Sequence, residues 1–479
     1  MKRGVLSLAA TVTLLAWFAI AAGVRCGDNG ERPGRVAATP VASITPTPRA
    51  DAALQSFDRG HSFAYTNNAG ALWYVDAATG EQRQLAARVD LGHQSEVWSP
   101  DGERIAYRDA EGRLIVHEWT SDEPARVIDS DVTDIAWSTD SRLLSYGKGA
   151  HFDDNWIADV DGPHKISLVE RRIAEFSPDG RHALVYRPVA PSETAPRGGA
   201  YEILDLDNWE FEPIDAPIDG YVPPVWSPSG RYLAYWKQNV GGSAIIGPMA
   251  IYDTTTDVAQ DIGEFTDDET PQWAPSKERD VFHNLEIDRD TGTVTELFPR
   301  PGAWDFSQAA FPQPGAVVGW SPDMRSVVSV EGRGFGAGPR RLVALEPETG
   351  KRVVLNENDE TLSHPSAPGY FGSWSPNSRY FAFGVMHEED GSGGMEWAVY
   401  DRESATTEPI DVPLVTFASF SPDGRYLLLT TVSDSPAPPP VYSLVVANAD
   451  GSNAHNLADG VAISTGPNGN WRGWRPAGE

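Results

Sequence analysis

One phrase, written again and again, constrains this chain more than any other feature. Trp98-Ser99-Pro100-Asp101-Gly102 is followed by Arg104-Ile105-Ala106-Tyr107, and the phrase returns at Trp137, Phe176, Trp226, Trp273, Trp320, Trp374 and Phe420, with a truncated copy at Trp474-Arg475-Pro476. Successive anchors lie 39, 39, 50, 47, 47, 54, 46 and 54 residues apart, close to the period of blade-type repeats. The aromatic closes a short strand and packs between neighbouring sheets. Ser-Pro-Asp-Gly is a turn in which Pro presets φ and Gly accepts a positive φ. The alternating tail, such as Leu233-Ala234-Tyr235, is a strand with one buried face. A looser phrase follows each anchor. Leu72-Trp73-Tyr74-Val75-Asp76, a Gly-containing loop and Gln82-Arg83-Gln84-Leu85 read as a hairpin, recurring around Val116, Ile157, Leu204, Ile251, Ile287, Val343, Val399 and Val445.

Each repeat therefore supplies four strands, A and B from the anchor and its tail, C and D from the hairpin. A sheet of that size cannot bury both faces alone, so the repeats must stack side by side. The expected fold is all-β, a single β-propeller of four-stranded blades over residues 57–479. Nine repeats are counted; eight blades is the alternative if the poorly marked copy at Trp273-Ala274-Pro275-Ser276-Lys277 is defective. Residues 61–85 have no anchor before them, and Trp474 has no tail after it. The two chain ends are thus expected to complete one blade and close the ring. The 45 glycines, 38 prolines and 16 tryptophans suit short strands and tight turns.

The phrase resembles the TolB-type propeller repeat, W-S-P-D-G-x-x-I-A-Y, shared by periplasmic TolB and by the propeller domains of prolyl oligopeptidases and dipeptidyl peptidases. The resemblance covers residues 57–479 and implies protein–protein interaction at the cell envelope. The hydrolase domain of those peptidases carries a G-x-S-x-G elbow, which does not occur in this sequence. H-E-x-x-H is also absent and the ten histidines are scattered, so no metal site, cofactor or catalytic residue is expected. Asp288-Arg289-Asp290-Thr291-Gly292 looks like the start of an EF-hand loop but lacks its further ligands. It reads as a C–D hairpin turn, as do Asp159-Val160-Asp161-Gly162 and Asn448-Ala449-Asp450-Gly451.

The N-terminus points to export. Lys2 and Arg3 precede an uncharged run of 21 residues, 4–24, so residues 1–26 read as a signal peptide or membrane anchor. Three fates are open: a transmembrane anchor, cleavage after Ala19-Ile20-Ala21, or lipidation at Cys26, whose position resembles a bacterial lipoprotein signal. Residues 27–56, rich in Ala, Thr and Pro, read as a linker. Cys26 is the single cysteine, which excludes a disulfide framework. The formal net charge of −30 repels phosphate backbones and excludes nucleic acid as a partner.

Strand alternation puts the A–B and C–D turns on one face and the B–C and D–A connections on the other. The first face repeats one turn. Length variation concentrates on the second, in D–A connections 298–319, 356–373 and 458–473 and B–C connections 187–199, 237–248, 385–395 and 433–441. These hold the candidate ligand- or partner-binding residues: Trp304, Phe306, His364, Tyr370, Phe371 and Trp471, with Asp267 and Asp268 in another D–A connection. The expected partner is another envelope protein, a peptide or a carbohydrate, with the membrane engaged through the N-terminus. The alternative is a glycoside hydrolase or lyase working in the central pocket.

Overall fold

The computed structural model describes residues 60–476 apart from 91–95, 119–123, 150–153, 189–198, 215, 217, 219–222, 238–245, 267–271, 299–312, 333–339, 357–371, 387–394, 433–440 and 463–472. The described residues form strands and turns and no helix. In chain order, β1 (Ser62–Asn67), β2 (Leu72–Asp76) and β3 (Gln82–Ala86) come first. Next are β4 (Glu96–Trp98), β5 (Arg104–Arg108), β6 (Leu114–Glu118) and β7 (Arg126–Asp129), then β8 (Val132–Trp137), β9 (Leu143–Lys148), β10 (Asp154–Asp159) and β11 (Lys165–Ser167). A fourth group is β12 (Arg172–Phe176), β13 (His182–Pro188), β14 (Gly199–Asp205) and β15 (Phe211–Pro213), followed by β16 (Val225–Trp226), β17 (Tyr232–Trp236), β18 (Ile246–Asp253) and β19 (Val258–Thr266). The shortest group is β20 (Asp280–Phe282), β21 (Leu285–Ile287) and β22 (Val294–Glu296). Then come β23 (Gln313–Trp320), β24 (Val327–Gly332), β25 (Arg340–Glu346) and β26 (Lys351–Val354), and β27 (Gly372–Trp374), β28 (Tyr380–Met386), β29 (Met395–Asp401) and β30 (Thr406–Pro409). The last group is β31 (Val415–Phe420), β32 (Tyr426–Val432), β33 (Tyr442–Asn448) and β34 (His455–Ala462).

Within every group each strand pairs antiparallel with the next in sequence. These are propeller blades, and the A-to-D order expected from the repeat holds. Two A strands are reduced to single bridges, Trp273 to Phe282 and Trp474 to Phe63. The first of these is the copy whose tail is poorly marked in sequence. Its strand B is only β20, because Asp280 stands seven residues after its anchor, where other repeats place Ile105, Leu144, Leu233 or Leu427. Two connections are shorter than expected from sequence. β23 already begins at Gln313 and β34 runs on to Ala462, since both segments continue the pairing of their neighbours.

The anchors are the mortar between sheets. Trp98, Trp137, Phe176, Trp226, Trp273, Trp320, Phe420 and Trp474 are buried and Trp374 is half-buried. Most of the indoles also reach back to the preceding sheet, to the residue just before its anchor. Trp137 Nε1 donates to Val97 O (3.2 Å), Trp273 to Val225 O (3.0 Å), Trp374 to Gly319 O (3.1 Å) and Trp474 to Ser419 Oγ (2.9 Å). Trp98 makes the same bond with Gly473 O at 3.0 Å, 375 residues away. Ala64 N donates to Gly473 O and Arg475 N to Ser62 O, so the two ends of the described chain are hydrogen-bonded together. Arg475 stands where most copies have a buried serine. It is only 2% exposed, and its Nε donates to Gly102 O at 2.7 Å. Gly102 has φ +69°, and a Cβ there would lie 2.4 Å from Pro476 O, so this turn must be glycine.

Candidate binding face

The nearest-neighbour strand order places A–B turns with C–D turns at one edge of each sheet and the other connections at the opposite edge. At the A–B edge one device repeats. The anchor serine is wholly buried in each full copy that has one, and its hydroxyl bonds the side chain two residues on, an aspartate in five copies, Ser229 and Asn377 in the other two, while accepting a backbone N–H from the start of strand B. Ser177 Oγ is 2.5 Å from Asp179 Oδ1 and 2.9 Å from His182 N; Ser99, Ser138, Ser321 and Ser421 do the same with Asp101, Asp140, Asp323 and Asp423. Adjacent turns then bond each other. Asp101 N donates to Ser141 Oγ, Thr139 Oγ1 to Ser177 O, and Asp323 N to Ser378 Oγ. Arg402 closes a bidentate pair on Asp323 at 2.9 and 2.7 Å. Burial alone would raise the Asp323 carboxyl, but bonds from Arg402, Ser321 and Arg325 N outweigh it and hold it at about 2. The C–D turns are equally committed. Asp288 Oδ1 accepts from Asp290 N and Thr291 N, which makes the EF-hand-like segment the hairpin turn expected of it.

The opposite edge uses its polar groups differently, most visibly in the seams on either side of the β8–β11 sheet. In the first, Asp129 at the end of β7 accepts from Tyr146 Oη (2.9 Å), Lys148 Nζ (3.0 Å) and Lys165 Nζ. Register explains the convergence: Tyr146 pairs with Trp156 and Ala158 with Lys165, so all project from one face of the sheet. Both ammonium groups lie over the Trp156 ring, at 5.8 and 4.9 Å. Burial pushes the Asp129 carboxyl up, but the bonds from Lys165, Ser130 N, Lys148 and Tyr146 outweigh it and bring it to about 2.

The second seam lies between β11 and the β12–β15 sheet. Glu202 on β14 has a side chain only 5% exposed, and it is straddled by two arginines. Arg171 Nε donates to Oε2 at 2.6 Å and Arg187 Nε to Oε1 at 2.7 Å. Arg187 pairs with Ala200, two residues before Glu202, which puts both side chains on the same face. Phe211 pairs with Leu204 on that face too, and the Arg171 guanidinium stacks over its ring at 4.4 Å. Arg171 is delivered by a tight connection in which Val169 (φ +33°) and Glu170 (φ +59°) occupy the left-handed region, and a β-branched residue adopts that conformation only under constraint.

The residues expected from sequence to form the site, Trp304, Phe306, His364, Tyr370, Phe371, Trp471, Asp267 and Asp268, lie outside the described residues, as does Cys26. Sequence reasoning passed over Arg171, Arg187 and Glu202, although a signal was present. Glu202 is the third residue before the C–D turn acid, and the other repeats carry Trp73, Ile115, Trp156, Ala250, Leu285, Val343, Ala398 and Val445 there. A charge at a position otherwise uncharged marks that repeat.

No protein-family signature matches the sequence, and no curated protein matches it. Solved structures do. The chain is similar to a eukaryotic initiation factor at 13% identity over 84% of this chain and 98% of that one, with a TM-score of 0.54. It is also similar to dipeptidyl peptidase 4 from Porphyromonas gingivalis (10% identity, 82% of this chain, 64% of that one, TM-score 0.46). TolB from Acinetobacter baumannii matches at 13% identity over 73% of this chain and 77% of that one, with a TM-score of 0.29. At such identities the likeness speaks to fold alone. The chain is a β-propeller.

Proposed function

We propose that this protein is an exported β-propeller of nine blades, closed by both chain ends and tethered to the membrane by its N-terminal segment, that serves as a scaffold for another envelope protein. The observation that carries this reading is the difference between the two edges of its sheets. At the A–B edge, side chains bond within turns and from turn to turn, so that surface is committed to holding blades together. The other edge carries the longer and more varied connections, and recognition needs differences between blades. Export and the tether are supported by Lys2, Arg3 and the uncharged run after them.

The experiment is to express the full chain in a bacterial host, isolate the membrane fraction, and identify crosslinked proteins for wild type, Trp304→Ala and Tyr370→Ala. The chain is expected in that fraction. Both variants should lose the crosslinked partner while keeping the wild-type melting temperature. Substitutions of Asp101 or Asp423 should do the reverse. If the loop variants unfold the protein and show no separate loss of partner, those aromatics cap the core and the reading fails.

A further inference from the structure

We infer that Arg171 and Arg187, braced on buried Glu202, form a clamp for a carboxylate or phosphate oxyanion. The inference deepens the proposed reading and rests on it for the biological partner, since the clamp lies at the B–C and D–A edge; the binding itself is measured without that partner.

Glu202 neutralises one of two guanidinium groups, leaving an excess positive charge on a chain whose formal net charge is −30. Each arginine reaches Glu202 through Nε alone, and among the described residues neither Nη pair has a protein partner. The side chains are 27% and 39% exposed, so those Nη groups are open to solvent. Guanidinium presents its donors in a planar fork that matches an oxyanion in bidentate fashion. Two like charges held on one carboxylate repel each other, and a second anion between the free forks relieves that repulsion. Orientation is already fixed. Arg171 is held by Glu202 on one side and by Phe211 beneath it, which reduces the side-chain entropy lost on binding. The strained Val169–Glu170 connection sets where Arg171 enters the seam.

The neighbouring seam provides a control within the molecule. Asp129 is also flanked by two cations, but both of its lysines rest on Trp156 and a tyrosine hydroxyl completes the carboxylate's shell. An ammonium group is a point charge without a fork, so that seam lacks the geometry for bidentate capture.

The test uses the full-length chain, titrated calorimetrically at low ionic strength with inorganic phosphate and, separately, with acetate. Arg187→Gln is the informative variant, because it removes one fork and leaves the Arg171–Glu202 pair to support the fold. Wild type should bind at least one of the anions saturably, and the variant should bind it at least about fivefold more weakly. Binding of acetate but not phosphate assigns the clamp to carboxylates, and the opposite preference to phosphates. A melting temperature that rises with anion concentration in wild type, and less in the variant, is the second readout. No saturable binding of either anion, or equal affinity and equal thermal shifts in wild type and variant, overturns the inference. If anion binding fails while the loop variants still lose their partner, the clamp falls and the recognition face stands. If the anion binds through Arg187 while the loop variants capture normally, the clamp stands and the proposed face falls.

Discussion

The two ends of the β12–β15 sheet carry similar polar groups and use them in opposite ways. At the A–B end, the Ser177 hydroxyl, the Asp179 carboxylate and the His182 backbone bond one another, and Thr139 from the neighbouring turn bonds the Ser177 carbonyl. A Cβ on Gly180 would come within 3.1 Å of Asp140, so the two turns touch. At the other end, Glu202 holds Arg171 and Arg187 by one bond each and leaves their outer donors in solvent. Donors and acceptors that satisfy each other rigidify a structure, while ordered donors without a protein partner prepare it for a ligand. One sheet thus carries architecture at one end and the means of recognition at the other.

The largest effect that tests this division lies in the anchors. Trp320 is buried and its indole donates to His283 O at 2.7 Å, so Trp320→Ala should cost about 3–5 kcal/mol in chemical denaturation. No substitution at the opposite edge should approach that. An unchanged denaturation midpoint would place Trp320 outside the packing between blades.

An acid titration gives the next largest effect. Asp179 and Asp323 in A–B turns, and Asp129 in the first seam, are each held at about 2 in the folded protein, against burial that would raise them. For Asp179 the opposing causes are the His182 imidazole, 3.7 Å away, and bonds from Ser177 Oγ and Arg181 N. A carboxyl whose folded pKa lies below its unfolded value contributes stability that is full above the unfolded value, about 4, and is lost as pH falls toward 2. Circular-dichroism melts should therefore change little through these groups from pH 7 to about 5 and drop steeply below pH 4. Asp179→Asn should lower the midpoint at pH 7, by about 1–3 kcal/mol, and leave it unchanged at pH 2. A deficit that persists equally at pH 2 would mean that the carboxylate's charge contributes nothing and only its shape matters.

The same contrast explains what could be read in the sequence. The anchor, the Ser-Pro-Asp-Gly turn and the C–D hairpin were legible because each meets the same packing problem in every copy, and repetition raises such residues above background. Even the weak copy was marked, since Trp273 is followed by Asp280 where neighbours place an apolar residue. That aspartate is fully buried, with Arg289 Nε 2.5 Å away. Glu202 is the same kind of break, a buried charge matched by arginines from two other segments. Its partners were invisible because Arg171 lies in a connection and Arg187 at the end of a strand, and only the register of β13 on β14 brings them together. Repetition reveals the frame, and single departures from it reveal where the frame has been put to use.

The smallest expected effect is the sharpest test of that view. Phe211 is 36% exposed on the outermost strand of its sheet, and the Arg171 guanidinium lies 4.4 Å above its ring. If that end of the sheet is a prepared binding surface, the ring's task is to hold a guanidinium flat, which is worth about 0.5–1 kcal/mol at an exposed site. Phe211→Ala should then lower stability by no more than that amount. It should weaken phosphate or acetate binding by about two- to fivefold, the same energy expressed as affinity. The loss should be smaller than that of Arg187→Gln, because Arg171 keeps its bond to Glu202 and both forks survive. Leucine at the same position fills the space without a π face, so Phe211→Leu should restore stability and not affinity. If instead Phe211→Ala melts the protein as Trp320→Ala does, the ring belongs to the core and both ends of the sheet are architecture.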